Sequence, residues 1–121
     1  RRVLFRSMAH VSLQHPISEK QKHSVGHLCD LPFTQLFGDS REYDFAKHGT
    51  IDGFYIDAEH VYANVLVESR KAFACDPNIV VWHDCDIPEV WAGVNDAIND
   101  KYELFRVDGT RIGYAIKKQG A

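Results

Sequence analysis

The feature that most constrains the fold of this 121-residue chain is an alternation of short apolar runs with segments of helical periodicity. Short apolar runs bounded by turn residues are typical of strands. The predicted strands are His10–Gln14, Phe33–Phe37, Ile51–Ile56, Asn78–Trp82, Tyr102–Val107 and Arg111–Lys117. The predicted helices are Ser18–Leu28, Tyr62–Phe73 and one that begins at Pro88. Strands that alternate with helices predict an α/β fold, with a parallel sheet and helices on both of its faces.

The last two predicted strands form a hairpin. Tyr102–Val107 and Arg111–Lys117 are separated by the turn pair Asp108-Gly109, which favours a tight reversal of the chain. The second strand of this hairpin therefore adds an antiparallel strand to a sheet that is otherwise parallel.

The charge balance and the cysteines narrow the class of protein. Fourteen Lys and Arg residues against 17 Asp and Glu give a formal net charge of −3, which lacks the basic excess of a nucleic-acid binder. No apolar run approaches the roughly 20 residues of a membrane span. The three cysteines include no Cys-x-x-Cys pair, so neither a disulfide framework nor a thiolate zinc site is indicated. We predict a protein of a reducing compartment, the cytoplasm, with no nucleic-acid or membrane partner.

Residues 1–7 read RRVLFRS and precede Met8. Their apolar part, Val3–Phe5, is shorter than the roughly 7–15 residues of a secretory signal core. The string resembles the translation of a sequencing-library adapter, so we interpret it as a sequencing scar and exclude it from the fold prediction. A natural N-terminal arm is the alternative. The domain is then residues 8–121.

Polar side chains follow three of the predicted strands at the point where each apolar run ends. They are Gly38, Asp39 and Ser40 after the first run, Asp57 and His60 after the second, and His83 and Asp84 after the third. The carboxyl ends of parallel strands meet at one edge of a sheet, and open α/β sheets bind ligands at that edge. The sequence therefore predicts a binding site there.

Two carboxylates and two histidines carry the chemistry of this edge. Asp57 and Asp84, on neighbouring strand ends, suit a shared Mg²⁺ ion or a polar substrate; the alternative is that each caps the helix that follows it. His60 and His83 suit a general base near neutral pH or a nitrogen ligand; the alternative is a histidine that only bonds a neighbouring carboxylate. The residue types alone leave these alternatives open.

Three stretches in combination resemble one enzyme family: Gly38–Ser40, Ile51–Tyr62 and Ile79–Asp84. Together with the hairpin segment Phe105–Tyr114, they resemble the C-terminal two-thirds of a class I S-adenosylmethionine-dependent methyltransferase, in the small O-methyltransferase-like branch. The resemblance implies a partial Rossmann-like parallel sheet with helices on both faces and a reversed last strand in the C-terminal hairpin.

The resemblance also implies a role for each matching position. The implied cofactor is S-adenosyl-L-methionine, and the implied acceptor is a small molecule that is methylated at oxygen, with nitrogen as the less favoured alternative. Gly38–Ser40 would lie by the adenine of the cofactor, and Asp57 would face the methyl-transfer site. His60 and His83 would line the same pocket. In metal-dependent members the positions of Asp57 and Asp84 supply carboxylate ligands to Mg²⁺.

Departures from the family pattern lead us to expect an N-terminally truncated domain. No glycine-rich loop precedes His10, although the family uses this loop to hold the methionine part of the cofactor. Gln14 stands where an acidic residue usually holds the ribose, and Cys85 stands where metal-dependent members carry Asn or Asp after Asp84. We therefore expect residues 8–121 alone to bind the cofactor poorly.

Two other functions remain alternatives. A non-catalytic α/β interaction module would explain Gln14 and the missing loop, but a scaffold has no need for a group of ionisable side chains on one edge. A metal-dependent hydrolase would use Asp57, His83 and Asp84.

Overall fold

The computed structural model describes residues 3–7, 34–57 and 59–120. The chain divides into two units, Arg1–Tyr43 and Asp44–Ala121. The predicted strand His10–Gln14, which ends at the predicted cofactor residue Gln14, and the predicted helix Ser18–Leu28 lie outside the described residues. The part of the chain that the structure describes holds no helix with the length and apolar character of a membrane span.

Among its described residues, the first unit holds two parallel strands, β1 (Val3–Ser7) and β2 (Thr34–Gly38). β2 is the strand predicted at Phe33–Phe37 and begins one residue later. β1 lies in residues 1–7, which the sequence prediction excludes from the fold as a sequencing scar. The sequence therefore does not predict this strand. The origin of these residues as a sequencing scar stays a prediction.

The second unit is an α/β fold, as the sequence predicts. It opens with a short 3-10 helix, Phe45–His48, whose N-cap Asp44 accepts a hydrogen bond from the Ala46 N–H at 3.1 Å. The remaining elements are β3 (Gly53–Ile56), α1 (Tyr62–Ala74), β4 (Ile79–Trp82), α2 (Pro88–Ala97), β5 (Tyr102–Arg106) and β6 (Gly113–Lys117). Their order and type confirm the sequence prediction, and each predicted boundary falls within two residues of the observed one.

The four strands of the second unit form one mixed sheet in the order β3-β4-β6-β5. β3 and β4 are parallel, and β6 is antiparallel to both β4 and β5. β5 therefore runs in the same direction as β4, and the reversed strand β6 lies between them. The predicted combination of parallel strands with a closing antiparallel hairpin is confirmed.

One face of this sheet is covered by α1 and α2. On β4 the alternate residues Val80 and Trp82 are buried, and residues of both helices and of β5 and β6 join the same core. Those residues are Val65, Ala72, Phe73, Val90, Val94, Ala97, Tyr102 and Ala115. Two polar groups buried here are paired: the Trp82 indole Nε1 donates to Ser69 Oγ at 2.9 Å, and the Tyr102 hydroxyl donates to the Pro77 carbonyl at 2.7 Å. Burial of this apolar surface is the main source of the unit's stability.

The opposite face of the sheet carries no helix among the described residues of the second unit. Tyr55, Ile79 and Ile116 point to this face and are 60%, 38% and 45% exposed. Beside them the rings of Phe105 and Tyr114 stack with their centroids 5.1 Å apart. The sequence predicts helices on both faces of the sheet. Within residues 44–57 and 59–120, the α-helices cover one face and leave the second face without a helix.

Candidate functional site

The carboxyl ends of β3 and β4 bring polar residues of the second unit to one edge of the sheet. Ile56 and Trp82, the last residues of the two strands, are neighbours in the parallel register. Just beyond them, the His83 N–H donates to the Ile56 carbonyl at 3.1 Å. The side chains that follow these strands lie together at this edge, and we call them the edge cluster. They are Asp57, His60, His83 and Asp84.

Asp84 is the centre of the edge cluster. Its side chain is only 6% exposed, and both of its carboxylate oxygens face basic groups. Oδ2 lies 2.6 Å from His60 Nε2, while Oδ1 lies 2.9 Å from His83 Nδ1 and 2.8 Å from Arg111 Nη2. A buried carboxylate requires such partners, because an unpaired buried charge costs several kcal/mol. Burial alone would raise the pKa of Asp84, but the basic groups around it hold that pKa below its ordinary value.

The backbone turn after β4 presents Asp84 at the edge. Asp84 has a φ of +60°, in the left-handed region that Asp adopts more readily than most other residues with a side chain. Two hydrogen bonds hold this turn. The Ile87 N–H donates to the Asp84 carbonyl at 3.0 Å, and the Cys85 N–H donates to the Arg111 carbonyl at 2.8 Å. The loop between β5 and β6 therefore fixes the turn that carries Asp84.

The two histidines of the edge cluster are held differently. His60 is 49% exposed and contacts Asp84 through Nε2. His83 is 32% exposed, and its buried Nδ1 lies 3.7 Å from Asp57 Oδ1 as well as near Asp84, without an aligned hydrogen bond to either. The close Asp84 carboxylate raises the pKa of His83 above its ordinary value, and Asp57 acts in the same direction. His60 is thus the more accessible of the two rings to a bound molecule.

Arg111 is a member of this site that the sequence pattern did not reveal. Its Nε donates to Asp86 Oδ1 at 2.9 Å while its Nη2 reaches Asp84. The Arg111 guanidinium holds the pKa of Asp86 below its ordinary value. In the sequence Arg111 opens an apolar run that reads as a strand, and no spacing connects it with Asp84. Only the pairing of β6 with β4 brings the loop that carries Arg111 to the edge.

The alternative in which Asp57 and Asp84 serve only as helix caps is wrong. α1 begins after Val61 and α2 after Ile87, and neither N-cap residue makes a side-chain capping hydrogen bond. Asp57 is 44% exposed, and its Oδ1 lies 3.7 Å from His83 Nδ1 in the edge cluster. Both carboxylates therefore belong to the edge of the sheet and not to the helix termini.

The remaining predicted cofactor residues, Gly38, Asp39 and Ser40, belong to the first unit, at the end of β2 and in the turn after it. The Asp39 carboxylate accepts a hydrogen bond from the Arg41 N–H at 2.9 Å and pairs with the Arg41 guanidinium at 2.8 Å. Ser40 is buried. The role of these residues beside an adenine ring stays a prediction.

A shallow cleft opens beside the edge cluster. Its walls are formed by Ile56, Asp57, Glu59, His60, Val65, Trp82, His83 and Val90. The cleft amounts to about 200 Å³ only when space open to solvent is counted, and the part that a small molecule could occupy is about 10 Å³, which is the room of about one water molecule and far below the roughly 300–1,000 Å³ of a small-molecule site. Among the described residues, apolar and polar side chains therefore line a small depression beside the edge cluster that does not by itself enclose a small molecule.

Asp57, His60 and Asp84 have the residue types of a metal site. Each offers one ligand atom, and these atoms lie within 4.8 Å of one another. His60 Nε2 and Asp84 Oδ2 are 2.6 Å apart, which is the distance of a direct hydrogen bond between them, so an ion that bound both atoms would have to separate them. Two ligands at about 2.0–2.2 Å from one ion, at right angles, lie about 3 Å apart. Cys85, which follows Asp84, is 1% exposed and faces the core.

Comparisons of the chain with protein-family models, with curated proteins and with solved structures found no match. The case for a function therefore rests on the edge cluster and on the sequence motifs that form it.

Proposed function

We propose that the chain is part of a cytoplasmic S-adenosyl-L-methionine-dependent methyltransferase that methylates a small molecule at oxygen. The observation that carries this proposal is the edge cluster. Its ionisable side chains converge at the carboxyl ends of two parallel strands, which is where open α/β sheets bind ligands. The same positions lie in the stretches that resemble the methyltransferase family.

The strand order supports the proposal independently. β6 runs against both of its neighbours, β4 and β5, as the resemblance implies for the reversed last strand of the family. The loop before β6 also delivers Arg111 to Asp84. The hairpin that resembles the family therefore takes part in building the candidate site.

His60 is the residue best suited to handle the proton of the acceptor. When bound, S-adenosyl-L-methionine supplies an electrophilic methyl group on its sulfonium. If an acceptor oxygen took this methyl group, the carbon–sulfur bond would break, S-adenosylhomocysteine would leave, and the hydroxyl proton would have to pass to a base; a positioned base contributes roughly 10²–10⁴-fold to such a step. His60 is 49% exposed while Asp84 holds its Nε2, which leaves Nδ1 to accept the proton. The buried Asp84 carboxylate then stabilises the imidazolium that forms, as a carboxylate does behind a histidine base.

Asp57 and His83 are suited to position the acceptor. The Asp57 carboxylate is 44% exposed at the edge, and His83 Nδ1 lies 3.7 Å from its Oδ1. In-line methyl transfer requires the acceptor oxygen, the methyl carbon and the sulfur to be aligned, so groups that orient the acceptor lower the entropic part of the barrier. Asp57 does this by accepting a hydrogen bond from a polar group of the acceptor.

The open face of the sheet favours a second candidate, a non-catalytic interaction module. Tyr55, Val81, Tyr114 and Phe105 lie opposite one another across all four strands of the sheet, and Tyr55 is 60% exposed. The other three side chains of this row are half-buried, and a contiguous apolar row of this kind is typical of a surface that another segment or partner covers. The interaction module gives the edge cluster no role, and for that reason we rank it below the methyltransferase.

Calorimetric titration with S-adenosylhomocysteine separates the two candidates. The proteins to compare are the 121-residue chain and a longer chain obtained by extending the reading frame upstream. We expect the extension to contain a strand followed by a glycine-rich loop. We also expect micromolar binding by the longer chain, and binding at least about tenfold weaker by the short one.

Each outcome of this titration has a distinct meaning. A longer chain without the loop and without binding contradicts the methyltransferase and favours the interaction module. Tight binding by the 121-residue chain contradicts the truncation and leaves the methyltransferase standing.

A further inference from the structure

The guanidinium of Arg111 stands where the edge cluster would otherwise attract a metal ion. Its Nη2 lies 2.8 Å from Asp84 Oδ1, and its Nε donates to Asp86 Oδ1 at 2.9 Å. We propose that Arg111 is the fixed counter-cation of Asp84, and that it keeps the edge cluster from binding a divalent metal ion.

Both oxygens of Asp84 are engaged by basic groups. Oδ2 faces His60 Nε2 at 2.6 Å, and Oδ1 is shared by Arg111 Nη2 at 2.8 Å and His83 Nδ1 at 2.9 Å. A metal ion would have to displace one of these contacts to reach either oxygen. Only 6% of the Asp84 side chain is exposed, so solvent offers little open approach to the carboxylate.

The positive charge of Arg111 offsets the negative charge of the carboxylates at this edge. The carboxylates of Asp57, Asp84 and Asp86 lie in this region, and Arg111 is in direct contact with two of them. Without the guanidinium, Asp84 and Asp86 lose their arginine partner and the local charge becomes more negative by one. Since a divalent ion is attracted by each unit of this charge, its affinity rises on the order of tenfold or more, even with partial exposure to solvent.

This inference goes beyond the proposed function, because metal binding is measured without cofactor or acceptor. It argues against the metal-dependent hydrolase, for which Asp57, His83 and Asp84 would have to hold a metal ion. It is compatible with a methyltransferase that removes the acceptor proton with a side chain.

Titration of the 121-residue chain with Mn²⁺ tests the inference, with the free ion followed by electron paramagnetic resonance. Arg111→Gln removes the guanidinium. The matched control is Arg106→Gln, which removes the same charge from β5, where Arg106 lies 5.0 Å above the ring of Trp91. Arg111→Lys is a second control, because it keeps the charge.

We expect the Arg111→Gln chain to bind Mn²⁺ at least about tenfold more tightly than the native chain. The Arg106→Gln and Arg111→Lys chains are expected to bind Mn²⁺ as the native chain does. Adding Asp84→Asn to Arg111→Gln is expected to remove the gained affinity, which places the ion at the edge cluster.

Two results would overturn the inference. One is saturable Mn²⁺ binding by the native chain that Asp84→Asn removes, because Arg111 would then fail to exclude the ion. The other is a folded Arg111→Gln chain with unchanged Mn²⁺ affinity and only a lower unfolding temperature, because Arg111 would then have a structural role alone. Circular dichroism verifies folding, and Arg111→Met, which retains the aliphatic stem, replaces Arg111→Gln if that chain does not fold.

Discussion

The helix-covered face of the sheet and its carboxyl edge are built from the same stretch of chain but are held by different forces. Trp82, at the end of β4, is 1% exposed and packs against the Phe73 ring at a centroid distance of 5.8 Å. Asp84, just beyond it, is as deeply enclosed, yet its neighbours are basic groups at 2.6 to 2.9 Å. Apolar contacts are non-directional and add up with area, whereas charged contacts depend on the protonation of each partner.

The two regions should therefore respond to different variables. A change at an apolar side chain of the helix-covered core, such as Trp82, should alter stability by a similar amount at every pH, because that side chain does not titrate. A change at the edge should alter the dependence of stability on pH. The three variants below test this difference.

Trp82→Ala should have the largest effect, a loss of about 3–5 kcal/mol in the free energy of unfolding. The substitution leaves a cavity in the core and removes the hydrogen bond from Nε1 to Ser69. Ile79→Ala, on the same strand but 38% exposed on the open face, is the matched control and should cost about 1 kcal/mol. Urea denaturation measures both. Equal losses would mean that the two faces of the sheet are equally buried in solution.

Asp84→Asn should cost about 2 kcal/mol near neutral pH, because it removes the charge that the surrounding basic groups contact. It should also change the pH dependence. The raised pKa of His83 means that its stabilisation is complete below the unfolded value and is lost as pH rises through the folded one. We expect the free energy of unfolding of the native chain to fall as pH rises above about 6.5, and this fall to be smaller in Asp84→Asn, where only Asp57 still raises the pKa of His83.

The acid side of the profile gives a second readout of the same variant. The pKa of Asp84 is lowered in the folded chain, so its contribution is present above the unfolded value of about 3.9 and is lost as pH falls through the folded value. Asp84→Asn should therefore also reduce the loss of the free energy of unfolding at acid pH. Trp82→Ala should leave the pH dependence unchanged on both the acid and the alkaline side. Identical profiles for the native chain and Asp84→Asn would show that Asp84 is not coupled to the histidines.

Gly113→Ala should have the smallest effect, a loss of about 1 kcal/mol in the free energy of unfolding. Gly113 lies between the two regions, because its neighbours are Cys85, next to Asp84, and Trp91 of α2. A Cβ at Gly113 would lie 2.8 Å from Cys85 Sγ and 3.0 Å from the Trp91 ring, so one neighbour must shift. Cys85→Ala removes the sulfur, and the double variant should recover part of the loss. A double-mutant cycle with urea denaturation measures this coupling. Strictly additive losses would mean that Cys85 and Gly113 are not in contact.

The helix-covered face could be predicted from the sequence because its signal is local. Apolar residues recur at every third or fourth position of α1, which indicates one buried face of that helix. β4 is apolar throughout, so its sequence predicts a buried strand but not that only one of its two faces is covered. The residues that follow β3 and β4 could also be predicted to meet, because the strands themselves carry Asp57 and Asp84 to a common edge.

The contact between Arg111 and Asp84 could not be predicted in this way. It depends on β6 pairing with β4, an arrangement of residues far apart in the chain that no periodicity encodes. The enclosure of Asp84 between His60 and Arg111 follows from the same pairing. Helix capping was a reasonable alternative for Asp57 because local sequence does not show that α1 begins only after Val61.

The central claim is that the edge cluster carries out methyl transfer, and His60 gives its most direct test. The measurement is transfer of a radiolabelled methyl group from S-adenosyl-L-methionine by the upstream-extended chain to a panel of small hydroxylated acceptors. We expect the extended chain without substitutions to be active, and His60→Gln in the extended chain to lower kcat roughly 10²–10⁴-fold with little change in KM. His48→Gln, in the 3-10 helix and outside the edge cluster, should leave kcat unchanged. Absence of methyl transfer by the extended chain without substitutions, or an unchanged kcat in His60→Gln, would contradict the account.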